Sequence, residues 1–221
     1  MKEYVIIVAG GKGVRMGGDT PKQFLLLNDK AIILHTLEKF SQALPTAELV
    51  LVLPKNEISR WEELSRNTSF ENIQIAVGGE SRFESVRSGL SLIPAEGVVG
   101  VHDAVRPFVS INTIRRIYSA AVKLKTAIPV IELKSSIREI KGENSEAVNR
   151  DSFRLVQTPQ CFHSVLLKRA YEQQYNSAFT DDATVVEAIG ETLNLVDGDQ
   201  RNIKITTVED LKMAEVFLDR H

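Results

Sequence analysis

Cysteine is almost absent from this chain. Cys161 is the one thiol in 221 residues, so no disulfide can close within it, and a reducing compartment fits. A charge excess of one sign is also missing. The 27 Lys and Arg against 29 Asp and Glu leave a formal net charge of −2, without the basic surplus that a nucleic-acid partner demands. Any cationic site must therefore be local. No apolar stretch approaches the roughly 20 residues that span a bilayer, so no membrane association is expected. The start, Met1-Lys2-Glu3-Tyr4, passes at once into an apolar run, so no signal or transit peptide is expected and a cytoplasmic location fits. Repeats, low-complexity tracts and flexible linkers are lacking too. Aromatic residues amount to 6%, with Trp61 the one tryptophan. Its helical spacing from Ile58 and Leu64 marks it as core and not as a platform for stacking a base.

What is present is an alternation of two periodicities. Val5–Val8, Leu49–Leu53, Ile73–Val77, Val98–Val101 and Ala127–Ile131 are short apolar runs that read as buried strands. Between them, apolar residues fall at helical spacing: Ile33, Leu37, Phe40 and Leu44; Val86, Leu90 and Ile93 behind a capping Ser81; Ile114, Ile117, Ala121 and Leu124. Helices are further expected around Ser164 to Tyr175, over Asp181 to Ile189 with Thr180 as N-cap, and at the end behind a Thr207/Asp210 capping box. A last strand is expected near Leu193 to Val196. The alternation implies one α/β domain over residues 1–221, a three-layer α/β/α sandwich with a mostly parallel, Rossmann-like sheet. Ser136–Ile140 and Ala147–Arg150 flank the polar turn Lys141–Ser145. They read as a two-stranded arm leaving the main body at about 133–156, and an isolated hairpin must lean on something.

The first strand opens into Ala9-Gly10-Gly11-Lys12-Gly13-Val14-Arg15-Met16, followed by Pro21-Lys22-Gln23-Phe24. Glycines at that point let backbone N–H groups approach a phosphate. Arg15 and Lys22 add two fixed cations, and Pro21 stiffens the backbone beside Lys22. Two better-known phosphate loops are excluded. No Gly-Lys is followed by Ser or Thr, as a P-loop requires. Gly11, Gly13 and Gly17 are one residue too widely spaced for the dinucleotide fingerprint, and the next strand ends in Leu53-Pro54-Lys55, without a carboxylate for a ribose. A nicotinamide oxidoreductase is thereby disfavoured. The fourth strand delivers His102-Asp103 to the carboxyl edge where parallel sheets bind ligands.

The glycine-loop pattern, with His102-Asp103-Ala104-Val105-Arg106-Pro107, Gln157-Thr158-Pro159-Gln160, Thr180-Asp181-Asp182-Ala183 and Asn202-Ile203-Lys204, resembles the cytidylyltransferases that act on polyol phosphates. The resemblance covers nearly the whole chain. It implies transfer of CMP from CTP to a polyol phosphate with release of pyrophosphate. The favoured acceptor is methylerythritol phosphate, in non-mevalonate isoprenoid synthesis, with ribitol 5-phosphate as its rival. By the same resemblance Ala9, Gly10, Gly11, Gly13, Gly79, Ser85, Asp103 and Ala104 bind CTP. Arg15 and Lys22 touch the triphosphate, Arg150 and Lys204 position the acceptor, and Arg106, Ser136, Thr158 and Thr180 contact it. The Asp-Thr pair common in the family reads Ser135-Ser136 here. Mg²⁺ is expected, held mainly through CTP phosphates and water without a dedicated protein cage. The arm implies a homodimer, with Arg150 reaching from the partner. A nucleotide-binding regulator without turnover is the reading from another class. Arg82 is read as structural, and His102 as a hydrogen-bonded group and not a catalyst.

Overall fold

The computed structural model describes residues 1–10, 20–94 and 96–218. Gly11, Gly13 and Arg15 lie outside them. The chain begins with β1 (Glu3–Val8), then the small β2 (Leu26–Leu27) and β3 (Lys30–Ala31), and α1 (Ile32–Ala43). Next come β4 (Glu48–Leu53), α2 (Ile58–Ser65), β5 (Gln74–Val77), α3 (Arg82–Ser91), β6 (Val98–Asp103), α4 (Ile111–Leu124) and β7 (Thr126–Glu132). A hairpin, β8 (Ile137–Lys141) and β9 (Asn144–Val148), precedes β10 (Arg154–Val156), β11 (Gln160–His163), α5 (Ser164–Ala170), α6 (Asp182–Glu187), β12 (Leu195–Asp197) and α7 (Val208–Leu218).

The main sheet has the order β10-β7-β11-β6-β1-β4-β5, with β12 pairing β7. β1 pairs β4 and β6 in parallel, and β4 pairs β5 in parallel. The reversed strands are β11, inserted between β6 and β7, and β10, which pairs β7. The alternation of β1 explains the layering. Val5 and Ile7 face a core completed by Phe40, Trp61 and Ile117, on the side of α1, α2 and α4. Tyr4 and Ile6 face the opposite core with Val86, Leu167 and Val186, from α3, α5 and α6. A third apolar cluster seats α7 through Ala214 against Leu27, Ile32 and Phe108. Trp61 is fully buried, as its helical spacing implied. Among the described residues no helix is long and apolar enough to cross a membrane.

Four local expectations are corrected. The helix after Ser164 stops at Ala170, where Tyr171 closes it by donating its N–H to the Leu167 and Lys168 carbonyls. The cap of α6 is Asp181 and not Thr180. The Asp181 carboxylate accepts the Thr184 N–H at 2.9 Å while the Thr184 hydroxyl accepts the Asp181 N–H, which leaves Thr180 outside the helix. The final strand sits later, at Leu195–Asp197, paired to Ile128–Val130. The arm hairpin turns through Gly142 and Glu143 alone, because Lys141 already pairs Asn144.

Candidate active site

β1, β4, β5 and β6 all end at one edge of the sheet, where a cleft of about 920 Å³ opens. Among the described residues Ala9, Gly10, Lys22, Gly79, Ser85, Asp103 and Lys204 line it. Ser85 is its most constrained wall. The Ser85 hydroxyl donates to the Ser81 carbonyl at 2.9 Å and accepts the Gly79 N–H at 3.2 Å. A Cβ on Gly10 or Gly78 would stand 3.2 or 3.1 Å from that oxygen, so the two loops meet here as bare backbone. Ser81 and Glu84 form a capping box that fixes the start of α3. Lys22 opens a single 3₁₀ turn after Pro21. The buried Gln23 amide donates to the Ala9 carbonyl at 2.8 Å, which ties that turn to the end of β1 and holds Lys22 at the cleft.

Asp103, the last residue of β6, is the electrostatic centre. Its Oδ2 lies 3.0 Å from Lys204 Nζ and 3.2 Å from Arg106 Nε, and its Oδ1 lies 3.8 Å from Arg82 Nε. Burial opposes its charge, but the positive fields of Arg82, Lys204 and Arg106 outweigh burial and hold the carboxyl far below the usual range. A recess of about 240 Å³ lies on the other side of this cluster, lined by Thr158, Thr180 and Arg106, with Arg82, Asp103 and Lys204 shared between recess and cleft. Buried Asn202 organises the recess. Its side-chain amide donates to the Thr158 carbonyl at 2.7 Å, and its own carbonyl accepts from Arg106 Nη1 at 2.8 Å. Ile205 N–H bonds the Val105 carbonyl, so residues 202–205 are held beside the end of β6 and Lys204 reaches Asp103.

His102 is fully buried, with Nε2 3.1 Å from the Arg106 carbonyl and Nδ1 3.0 Å from Thr158 Oγ1. A carbonyl only accepts, so Nε2 carries the proton and Nδ1 takes the threonine hydroxyl. Burial, against the pull of Asp103, lowers the imidazole to about 4 from 6.5. The ring is thus a neutral structural bridge. Between those values the unfolded chain binds a proton that the native ring refuses. Stability should therefore be full above about pH 6.5 and fall as the pH drops toward 4, by roughly 3 kcal/mol from this group. Urea midpoints across that window should show a shallower slope for His102→Gln; an identical slope would mean the ring already titrates normally.

The cleft and recess gather Ala9, Gly10, Lys22, Gly79, Ser85, Asp103, Arg106, Thr158, Thr180 and Lys204. Ala104 lines neither. It is buried, its N–H bonded to the Val8 carbonyl and its own carbonyl to the Thr36 hydroxyl. Arg150 and Ser136 also line neither. Both are exposed on the arm side, where Arg150 donates to the Lys134 carbonyl at 2.6 Å. Two residues gain importance that sequence reasoning did not give them. Arg82 donates to Asp182 at 2.6 Å, and Asp182 is fully buried. An acidic residue in the first turn of a helix is too common to signal such a partner from 100 positions away.

Residues 4–220 match the family model described as IspD, 2-C-methyl-D-erythritol 4-phosphate cytidylyltransferase. The chain is 48% identical over 220 residues to the protein of that name from Bacteroides thetaiotaomicron, covering 99% of this chain and 100% of the relative. It is 37% identical to the one from Geobacillus kaustophilus, covering 99% and 97%. Among solved structures, the 2-C-methyl-D-erythritol 4-phosphate cytidylyltransferase of Thermus thermophilus superposes with a TM-score of 0.80 at 31% identity, covering 99% of this chain and all of that one. The 4-diphosphocytidyl-2C-methyl-D-erythritol synthase of Anaerococcus prevotii gives 0.85 at 28%, covering 99% and 96%.

Proposed function

This chain belongs to the 2-C-methyl-D-erythritol 4-phosphate cytidylyltransferase family, and we propose that its cleft seats CTP while the adjoining recess seats the acceptor's phosphate. The reaction is transfer of CMP from CTP to 2-C-methyl-D-erythritol 4-phosphate, giving 4-diphosphocytidyl-2C-methyl-D-erythritol and pyrophosphate, a step of isoprenoid synthesis. One observation carries the subsite assignment: Arg82, Asp103 and Lys204 form a wall common to both cavities, which is where two anions have to meet.

A phosphate monoester has its second pKa near ~6, so the acceptor is largely dianionic at neutral pH and needs no general base. Its oxygen attacks the α-phosphorus, the bond to the β-phosphate oxygen breaks, and pyrophosphate leaves with the electron pair. The obstacle is repulsion, and the residues supported by their position are cations and N–H donors. Lys22, with Arg15, bears on the triphosphate. Lys204 and Arg106 bear on the acceptor phosphate, and Thr158 and Thr180 on its polyol. Gly10, Gly79 and Ser85 read the base through backbone and hydroxyl, with Ala9 beside them; Ala104, Gly11 and Gly13 join the CTP site on sequence grounds alone.

Among the described residues no three metal-ligating side chains cluster, but Asp103 Oδ1 can offer one hard oxygen. That suits Mg²⁺ held otherwise by phosphates and water. When bound it would neutralise charge on the triphosphate. The remaining proposals are a single working domain over residues 1–221, a cytoplasmic location, and a homodimer. Phe153, Leu155 and Val156 are about half exposed beside the hairpin arm, and a partner seated there would bring its Arg150 and Ser136 to the recess. Sedimentation should give a dimer at micromolar concentration; a fully active monomer would remove Arg150 from the site.

Pyrophosphate release with CTP and Mg²⁺, run side by side with both acceptors, tests the reading. Methylerythritol phosphate should drive release well above ribitol 5-phosphate. Preference for ribitol 5-phosphate, or binding of CTP without turnover on either, would contradict it.

A further inference from the structure

Asp103 has two oxygens in unequal surroundings. Oδ2 is taken by Lys204 and Arg106, whereas Oδ1, among the described residues, receives no hydrogen bond. Arg82 approaches it no closer than Nε at 3.8 Å, beyond hydrogen-bond reach. That distance is unexpected. Arg82 projects from the first turn of α3, about three-quarters buried, into the wall between cleft and recess. A guanidinium there would normally close a charge-assisted contact with the carboxylate in front of it. It is held back by a second carboxylate. Arg82 Nη2 donates to Asp182 Oδ2 at 2.6 Å, and the other Asp182 oxygen accepts the Tyr171 hydroxyl at 2.6 Å.

Asp182 itself cannot follow Arg82 toward the cleft. It sits at the start of α6, whose cap Asp181 accepts from the Gln160 amide at 2.8 Å, while Gln160 Oε1 accepts the Ala183 N–H at 2.8 Å. Tyr171 is fixed by stacking on Phe83, with ring centroids 4.7 Å apart. The anchor is therefore rigid on the acceptor side, and the residue it restrains stands at the junction of the two subsites.

We infer that Asp182 is a positioning residue for the transfer: it withholds the Arg82 guanidinium from Asp103, so that one Asp103 oxygen stays open where nucleotide and acceptor meet. This rests on the proposed assignment of cleft and recess. Asp182 touches neither substrate. With its charge removed, Asp103 is the remaining carboxylate that, among the described residues, forms an ion pair with Arg82, and the guanidinium closes on Oδ1 and occupies it.

The test is a set of three variants, Asp182→Asn, Arg82→Gln and the double variant, assayed well below their melting temperatures for kcat and both KM values. Asp182→Asn should lose about tenfold or more in kcat/KM while Arg82 is present, whereas in the Arg82→Gln background, whatever that change itself costs, the same substitution should cost little more because no guanidinium remains to block Oδ1. A structural role alone leaves kcat and KM of the folded Asp182→Asn enzyme unchanged. That result, or an Asp182→Asn loss equally large in the Arg82→Gln background, overturns the inference. The second readout needs no turnover. A crystal structure of ligand-free Asp182→Asn should show Arg82 within hydrogen-bond distance of Asp103 Oδ1; a gap still near 3.8 Å refutes the mechanism even if the enzyme proves to use another substrate. Wild-type enzyme inactive on every acceptor would instead count against the proposed function and leave the structural arm decisive.

Discussion

Lys22→Ala is expected to lower kcat by about 10²- to 10³-fold, the scale for losing one donor aimed at transition-state charge. Lys22 is held at the cleft by Pro21 and by the Gln23–Ala9 bond, so the backbone that carries its ammonium is set in place before CTP arrives. The in-line attack spreads negative charge over the α-phosphoryl oxygens and the leaving pyrophosphate, and an ammonium pre-set there stabilises that state more than bound CTP. The fall should therefore appear mainly in kcat, with a smaller rise in the KM for CTP. Steady-state pyrophosphate release measures it. A rise in KM with kcat intact would make Lys22 a ground-state ligand only, as in a nucleotide-binding regulator. The same outcome is expected for Arg15→Ala, on sequence grounds.

Asp103→Asn should weaken the fold itself as well as the site. It keeps the shape of the side chain but leaves Lys204, Arg106 and Arg82 around a neutral amide, with Asp182 the one remaining carboxylate of the cluster. Removing one partner of a buried charge cluster typically costs about 3–5 kcal/mol. Lys204 is 41% exposed at its side chain, so water screens part of the loss and roughly 2–3 kcal/mol is expected here. The pH dependence has the same origin. Because the folded carboxyl lies below its ordinary value, its contribution is complete above the unfolded pKa near ~4 and is lost as the pH falls through the folded value. Chemical denaturation at neutral pH and again in acid should show the variant's deficit shrinking in acid. A deficit that stays constant with pH would show that packing, and not charge, is what the substitution removes.

Much of this was legible in the sequence because it is local. The apolar runs of β1, β4 and β6 are long enough to be buried on both faces, and glycines stand at the ends of β1 and β5 where a ligand-binding edge needs bare backbone. Lys22, Asp103 and Lys204 come with motifs of their own. What was hidden depends on residues distant in the chain. Thr180 resembles an N-cap as well as Asp181 does, and the Asp181–Thr184 capping box decides between them, with the Asp181 carboxylate further held by the Gln160 amide. Arg82 and Asp182 are ordinary first-turn residues until their contact is seen. His102 depended on burial, which a strand-end position does not report. The arm residues Ser136 and Arg150 line neither cavity in this chain, and their part in the site rests on the proposed dimer.

The most direct test of the central idea, that fixed cations around a glycine-lined cleft bring two anions together, is a crystal structure with CTP and Mg²⁺. The cytosine should lie against Gly79 and Ser85, the triphosphate should be within hydrogen-bond distance of Lys22, and the α-phosphorus should face Lys204 across Asp103. A triphosphate bound elsewhere, with Lys22 and Lys204 pointing away from it, would contradict the idea outright.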